Sequence, residues 1–147
     1  MLDREAELRK IRDDVVSLTS SPLYTYRTEN KYLPVIGEGS HSPQVMFIGE
    51  APGENEAKTG RSFCGRAGKV LDKLLESVGI ARADVYITNI VKDRPPANRD
   101  PLPDEIAAYA PFLDKQIEVI KPKVIATLGR VSMQYVMNRY GLEWEIL

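Results

Sequence analysis

Apolar and polar positions change their spacing several times along this chain, and each change predicts a new element. In residues 3–17 the apolar positions recur at near-helical spacing among charged residues, which predicts an amphipathic N-terminal helix. Residues 22–43 contain three prolines and two glycines, so we expect an irregular, partly extended connection there. The regular part of the pattern begins after Pro43.

Three short apolar runs follow, each typical of a strand that is buried on both faces, at 45–48, 85–91 and 124–128. They alternate with helical patterns at 67–78, 103–120 and 131–140. Strands that alternate with helices in this way predict an α/β fold with a doubly wound parallel sheet in three layers, α/β/α. We expect a single domain over 1–147, with the helix and connection in 1–43 and the α/β core in 44–147. The chain ends soon after Gly141, so the sheet is expected to be truncated before its last strand.

Charge and composition restrict the class of protein. Lys and Arg number 20 and Asp and Glu 21, which argues against a strongly basic, non-specific nucleic-acid binder but allows local basic patches. No apolar run is long enough to span a membrane, and the charged N-terminus lacks the apolar core of a signal peptide. Cys64 is the only cysteine, so an internal disulfide and a multi-cysteine metal site are excluded, and we expect a reducing, cytoplasmic location.

Two long loops leave the edge of the predicted sheet at which parallel strands end, 49–66 and 92–102. A short turn at Gly129 leaves the same edge after the third strand. Open parallel sheets bind ligands at this edge, and long loops in compact domains are more often functional than decorative. We therefore expect the ligand site here.

Three side chains near these strand ends are candidates, and each has an ordinary structural alternative. Glu50 is either a carboxylate held at the strand end or a cap on a backbone amide. Phe63 either stacks on a flat ligand or anchors its loop in the core. Asn89 carries a donor and an acceptor that match the edge of a pyrimidine, or it is bonded to neighbouring backbone.

Cations on the same edge are candidates for phosphate contacts. The loop 92–102 is stiffened by two adjacent prolines and carries three of them, Lys92, Arg94 and Arg99. Arg130, in the turn after the third strand, is a fourth. The alternative is a solvated cluster of charges that neighbouring aspartates balance.

Taken together, these motifs resemble those of the uracil-DNA glycosylase superfamily, most closely its family-4 branch. The matching stretches are GEAPG at 49–53 with Glu56 behind it, GRSFCGRAG at 60–68, YITNIVK at 86–92 and RPPANRDP at 94–101. The similarity runs from about Ser21 to the last helix. Several ordered motifs at the expected spacing make the resemblance specific.

The resemblance implies hydrolysis of the N-glycosidic bond of deoxyuridine in DNA, during base excision repair, with the uracil flipped into a pocket. By position, Glu50 belongs with Ala51 and Pro52 to the loop that places the water and contacts the base through its backbone. Phe63 would stack on uracil, and Asn89 would hydrogen-bond its pyrimidine edge. Glu50 and Asn89 are thus the implied catalytic residues, and uracil-containing DNA, bound by a monomer at the nucleoid, is the implied partner.

The chain departs from the family at the iron–sulfur cluster that family-4 members usually hold with four cysteines. The first pair of cysteines falls within Leu18-Thr19-Ser20-Ser21, the third matches Asp93 and the fourth Tyr109. Cys64 stands where the family commonly has an aliphatic residue. We predict no cluster, no metal and no other cofactor.

A second departure concerns the family's C-terminal motif, a histidine followed by a DNA-wedging loop. The only histidine, His41, lies upstream of the first predicted strand and does not match it. Because this motif has no counterpart, we expect either a truncated product or a chain that has lost catalysis. Without the histidine the uracil oxygen loses one donor, and loss of a donor to a developing anion typically costs ~10²–10³ in rate. The alternatives are a non-catalytic module that binds uracil or damaged DNA, and a degenerate structural homologue.

Overall fold

The computed structural model describes residues 3–145. Its helices are α1 (Arg4–Val16), α2 (Tyr24–Glu29), α3 (Glu54–Thr59), α4 (Arg66–Ser77), α5 (Pro103–Ile120) and α6 (Arg130–Arg139). Its strands are β1 (Glu38–Gly39), β2 (Val45–Gly49), β3 (Tyr86–Asn89) and β4 (Val124–Thr127), and two short 3₁₀ turns lie at Arg82–Asp84 and Pro96–Asn98. Over residues 3–145, none of the helices has both the length and the apolar character needed to cross a membrane.

The sheet has the order β1-β3-β2-β4, with β2 parallel to both β3 and β4. The predicted α/β fold with three parallel strands is confirmed. The strand β1 adds an antiparallel edge that the sequence did not predict. This strand can approach β3 closely because Gly39 has no Cβ. A Cβ there would stand 1.9 Å from the Val85 carbonyl oxygen, so only glycine fits.

Three other predictions about local structure were wrong. The run at 124–128 is not buried on both faces, because β4 lies at the edge of the sheet and Val124 is 54% exposed. Residues 22–43 are not wholly irregular, since they contain α2 as well as β1. The loop 49–66 contains the six-residue helix α3, whose first turn is closed by a hydrogen bond from the Gly53 amide to the Glu56 carboxylate, 3.0 Å. Helices this short have little apolar periodicity, so tertiary contacts and caps rather than pattern decide them.

The core lies on both faces of the sheet. On one face, α1 and α5 pack against Met46 and Ile48 of β2. On the other face, Leu71 and Leu75 of α4 pack against the first residues of β2 and the middle of β3. This arrangement gives the three layers and brings the carboxyl ends of β2 and β3 to one edge, beneath the two long loops.

Candidate functional site

A cavity of about 240 Å³ opens at the carboxyl ends of β2 and β3. Its walls come from the loop after β2, from the first residues of α4 and from the loop after β3. The lining residues are Glu50, Ala51, Pro52, Gly53, Glu56, Phe63, Ala67, Gly68, Asn89, Pro95, Asn98 and Arg99. The five residues that the resemblance assigned to uracil are all among them.

Asn89 is the last residue of β3 and is 2% exposed. Its Oδ1 is buried and has no hydrogen-bond partner among the described residues. A buried polar atom in a folded protein is normally paired, because an unpaired one costs ~1–3 kcal/mol. An unpaired acceptor in a cavity wall is therefore typical of a site that a ligand's donor completes.

Phe63 lies beside Asn89 because two glycines leave room for it. A Cβ at Gly49 would stand 2.5 Å from Phe63 Cζ and 2.4 Å from Asn89 Oδ1. A Cβ at Gly68 would stand 1.7 Å from the Phe63 carbonyl oxygen. The ring lines the cavity and also packs against the core beneath α4, which confirms the anchoring role. Its stacking on a flat ligand stays a prediction.

The backbone of Phe63 is left-handed, with φ +48°, which is unfavourable for a large side chain. Arg82 holds this turn, since its Nη1 donates to the Phe63 carbonyl at 2.9 Å and its Nη2 to the Ser62 carbonyl. The aromatic wall of the cavity is thus fixed by an arginine outside it.

Glu56 ties the two halves of the loop after β2 together. Its Oε1 accepts from the Gly53 amide at 3.0 Å, and its Oε2 accepts from the Cys64 and Gly65 amides at 3.0 and 2.7 Å. The Glu56 carboxylate therefore sets the distance between the 49–53 turn and the start of α4. The signal that could have shown this role is the placement of Glu56 three residues after Gly53, from which its carboxylate reaches back to the Gly53 amide as in half of a capping box.

Glu50 lines the cavity, is half-buried and has a raised pKa. Burial, followed by a hydrogen bond and charge repulsion from Asp100, raises the pKa of Glu50 to about 7, against the opposing charge of Arg130. Arg130 Nη2 lies 3.5 Å from Asp100 Oδ2. Asp100 was missed as a site residue, because the sequence does not show that its loop folds back onto the end of β2.

Lys92 is a correction to the predicted phosphate contacts. It is 0% exposed, and its Nζ donates to the Asn89 carbonyl at 2.6 Å, to Thr88 Oγ1 at 2.8 Å and to Gln116 Oε1 at 2.5 Å. Burial lowers the pKa of Lys92 well below its usual range. The side chain fastens the end of β3 to α5 and does not reach solvent.

The other three cations stay predictions as phosphate contacts. Arg99 makes two bonds to Glu105, 2.7 and 2.8 Å, and lines the cavity. Arg94 donates to Asn98 Oδ1 at 3.1 Å and to the Tyr32 hydroxyl at 2.7 Å.

Arg130 keeps 58% of its side chain exposed. Asn98, a cavity residue that sequence reasoning noted only as a neighbour of the cations, has φ +54° and lies in the turn that follows the two prolines.

Comparisons with known proteins agree with this geometry. The sequence model of the uracil DNA glycosylase superfamily matches residues 36–145. The type-4 uracil-DNA glycosylase of Sulfurisphaera tokodaii is 49% identical over 135 residues, which cover 91% of this chain and 60% of that protein. That of Saccharolobus solfataricus is 47% identical over 92% of this chain and 61% of its own length.

The type-4 uracil-DNA glycosylase of Thermotoga maritima is 46% identical over 94% of this chain and 70% of its own length. The chain therefore spans about 60% of the length of the first two relatives. A family match over most of the chain, relatives at this identity and the cavity at the predicted strand ends agree. The chain belongs to the uracil-DNA glycosylase superfamily, in its family-4 branch.

Proposed function

We propose that this chain is the base-binding and catalytic part of a uracil-DNA glycosylase, which hydrolyses the N-glycosidic bond of deoxyuridine in DNA. The observation that carries the proposal is the unpaired Asn89 Oδ1, buried beside the Phe63 ring over Gly49. Uracil is flat and presents an N3–H donor next to the O4 acceptor. The Asn89 amide offers the matching acceptor and donor, while Phe63 offers a face for stacking.

The cavity accepts a base only after the base has left the DNA stack. Enzymes that flip a base out of the DNA stack offset the free-energy cost of unstacking with contacts to the base in a closed pocket. Here the pocket lies at the ends of two strands. Two candidate phosphate contacts, Arg94 and Arg99, stand on the loop after β3, and a third, Arg130, is the first residue of α6. Phosphate contacts would hold the strand while the base contacts select uracil.

Catalysis requires the C1′–N1 bond to break as water attacks C1′. The electron pair of that bond goes to uracil, which leaves as an anion, while positive charge develops on the sugar. The Asn89 amide N–H would stabilise the charge that grows on uracil O4, and a donor that meets charge formed in the transition state raises the rate rather than merely the affinity. We assign this role to Asn89.

Glu50 would stabilise the positive charge that develops on the sugar. Its carboxylate would orient the water, take up its proton and favour the positive charge on the sugar. These roles require the ionised form, and the raised pKa of Glu50, about 7, makes that form dependent on pH in the neutral range. Ala51 and Pro52 line the same wall and hold the backbone that carries Glu50.

We further propose that the acting unit is a monomer bound to uracil-containing DNA in the cytoplasm, at the nucleoid. The single cysteine supports the location, because it suits a reducing compartment. The net charge of −1 argues against a strongly basic, non-specific nucleic-acid binder and so favours recognition of the uracil.

The test is cleavage of a labelled single-stranded oligonucleotide that contains one uracil, followed by alkali to break abasic sites, with Asn89→Ala beside the wild type. Loss of cleavage in this variant supports the enzyme. Binding without cleavage by the wild type would establish a non-catalytic uracil-binding module instead. Neither binding nor cleavage would indicate a structural homologue. Asn138→Ala, on the exposed face of α6, is the matched control and should cleave normally.

A further inference from the structure

Three residues from the segments that match the family's cluster cysteines meet in the core. Ser21, Asp93 and Tyr109 are 7%, 1% and 0% exposed, and they come from the turn before α2, the loop after β3 and the middle of α5. The Ser21 Oγ lies 2.7 Å from the Tyr109 hydroxyl, and Tyr109 donates to Asp93 Oδ2. The structure thus brings the cluster positions together, as the family resemblance requires.

The residues present do not fit an iron–sulfur cluster. Such clusters are held by cysteine thiolates, whereas these positions offer a hydroxyl, a carboxylate and a phenol. Leu18, in the segment of the first cysteine pair, packs its side chain against the apolar core. Cys64, the only cysteine, lies instead in the loop after β2, 3.4 Å from a Glu56 carboxylate oxygen.

A buried cation completes the arrangement. Arg27 of α2 is 5% exposed, and its Nη1 lies 3.2 Å from Asp93 Oδ2. The same guanidinium donates to the last carbonyls of α1, those of Val15 at 3.3 Å and Val16 at 2.6 Å. One arginine therefore joins α1 and α2 to the loop that follows β3.

We propose that the side chains of Ser21, Arg27, Asp93 and Tyr109, here named the Asp93 network, replace the iron–sulfur cluster as the fastener of this fold. The network joins the end of α1, the turn before α2, α2 itself, the loop after β3 and α5, all through protein groups. This chain therefore folds and keeps its base pocket without iron.

The network is internally satisfied, which is what a buried polar fastener needs. The Leu23 amide donates to Ser21 Oγ at 3.1 Å, which leaves the Ser21 hydroxyl hydrogen for Tyr109, and the Tyr109 hydrogen for Asp93. Burial and the charge of Asp93 raise the pKa of Tyr109, so the phenol stays a donor. Burial raises the pKa of Asp93, and the bonds from Tyr109 and Arg27 oppose that rise.

The network also reaches the candidate site. Asp93 follows Lys92, which fastens the end of β3, and it precedes the Arg94–Asn98 turn at the cavity wall. Loosening Asp93 would free both the strand end and this turn. The proposal goes beyond the glycosylase function, because it concerns how the fold is held and can be tested without any measurement of activity.

The first test is the iron and acid-labile sulfide content of the full chain, purified under anaerobic conditions. We expect substoichiometric iron, no absorption band of a cluster in the visible range, and a melting temperature that a strong iron chelator leaves unchanged. About four iron atoms per chain with matching sulfide would overturn the proposal.

The second test measures the network itself by thermal unfolding. We expect Asp93→Asn to lower Tm by about 10 °C, because it leaves the buried Arg27 cation without its counter-charge. The milder Tyr109→Phe should lower Tm by about 3 °C, and it serves if Asp93→Asn fails to fold. The double variant Arg27→Met with Asp93→Asn should lose less than the sum of its single variants, because it leaves neither charge unpaired.

Asp13→Asn is the matched control, since Asp13 pairs with Arg12 on the surface of α1 with 66% of its side chain exposed. Its Tm should stay within about 1 °C of the wild type. Asp93→Asn and Tyr109→Phe proteins that melt as the control does would show that the network fastens nothing, and would refute the proposal whatever the glycosylase assay shows.

Discussion

Gly49 and Asn89 face each other in register at the ends of β2 and β3, and a side chain at position 49 would overlap the Asn89 amide. The two strands are parallel neighbours, so the backbone of one forms the floor beneath the side chain of the other. This pairing places the backbone of Gly49 at the floor of the cavity, next to the unpaired acceptor Asn89 Oδ1. The shape of the candidate site therefore depends on the absence of one methyl group.

We expect Gly49→Ala to remove uracil cleavage while the chain stays folded. The new Cβ would stand 2.4 Å from Asn89 Oδ1 and 2.5 Å from Phe63 Cζ, so at least one of these groups must leave its place. A displacement of about 1 Å at a reacting centre can cost ~10² in rate. Single-turnover rates on uracil-containing DNA, with a thermal melt of the same sample, check this. Wild-type cleavage by the variant would show that the floor of the cavity does not shape the site.

The rate of uracil release should fall as the pH falls through about 7, because the Glu50 carboxylate becomes protonated there. Asp100→Asn removes a neighbouring charge that raises the pKa of Glu50, so this fall should move to lower pH. Burial, the largest cause, remains, so the pKa should stay above its usual value. Single-turnover rates across the neutral and acidic range measure the shift. A fall that stays in place, or moves to higher pH, would contradict the pairing of Glu50 with Asp100.

Lys92→Met should flatten the rise of stability with pH on the alkaline side of neutrality. The pKa of Lys92 is lowered in the folded chain, so the unfolded chain binds more protons below the usual lysine pKa and stability rises with pH there. Methionine has no proton to lose. Urea unfolding at a series of pH values gives the slope for both proteins. Equal slopes would show that burial does not lower the pKa of Lys92 in the folded chain.

Arg130→Ala should weaken binding to single-stranded DNA and lower the slope of log Kd against log salt by about 0.7, the contribution of one phosphate contact. Arg9→Ala is the control, because Arg9 is an exposed side chain of α1 outside the cavity wall. Salt titrations of binding to an oligonucleotide give both slopes. The same slope for Arg130→Ala as for the control would remove Arg130 from the phosphate contacts.

The strands and long helices could be predicted because β2 and β3 lie inside the sheet and the apolar stripes of the helices pack on its two faces. The run of β4 was long enough to predict a strand but not its place at the edge of the sheet, where Val124 is 54% exposed. The two-residue β1 could not, since its only trace is the small size of Gly39 next to the Val85 carbonyl. In the site, Asn89 and Phe63 were visible as a polar residue in an apolar strand and an aromatic among glycines. Lys92 was misassigned because charge alone does not show that a loop side chain folds back beneath the preceding strand.

The central claim, that Asn89 Oδ1 accepts the N3–H of uracil, is tested most directly by a substrate that lacks this hydrogen. Single-turnover release is measured from oligonucleotides that carry deoxyuridine or N3-methyl-deoxyuridine, with the wild type and with Asn89→Ala. For the wild type we expect the methylated base to be released at least ~10²-fold more slowly, because a site built to pair a donor rejects an analogue without it. Asn89→Ala should be slow on both and discriminate little between them. Equal release of the two bases by the wild type would contradict the claim.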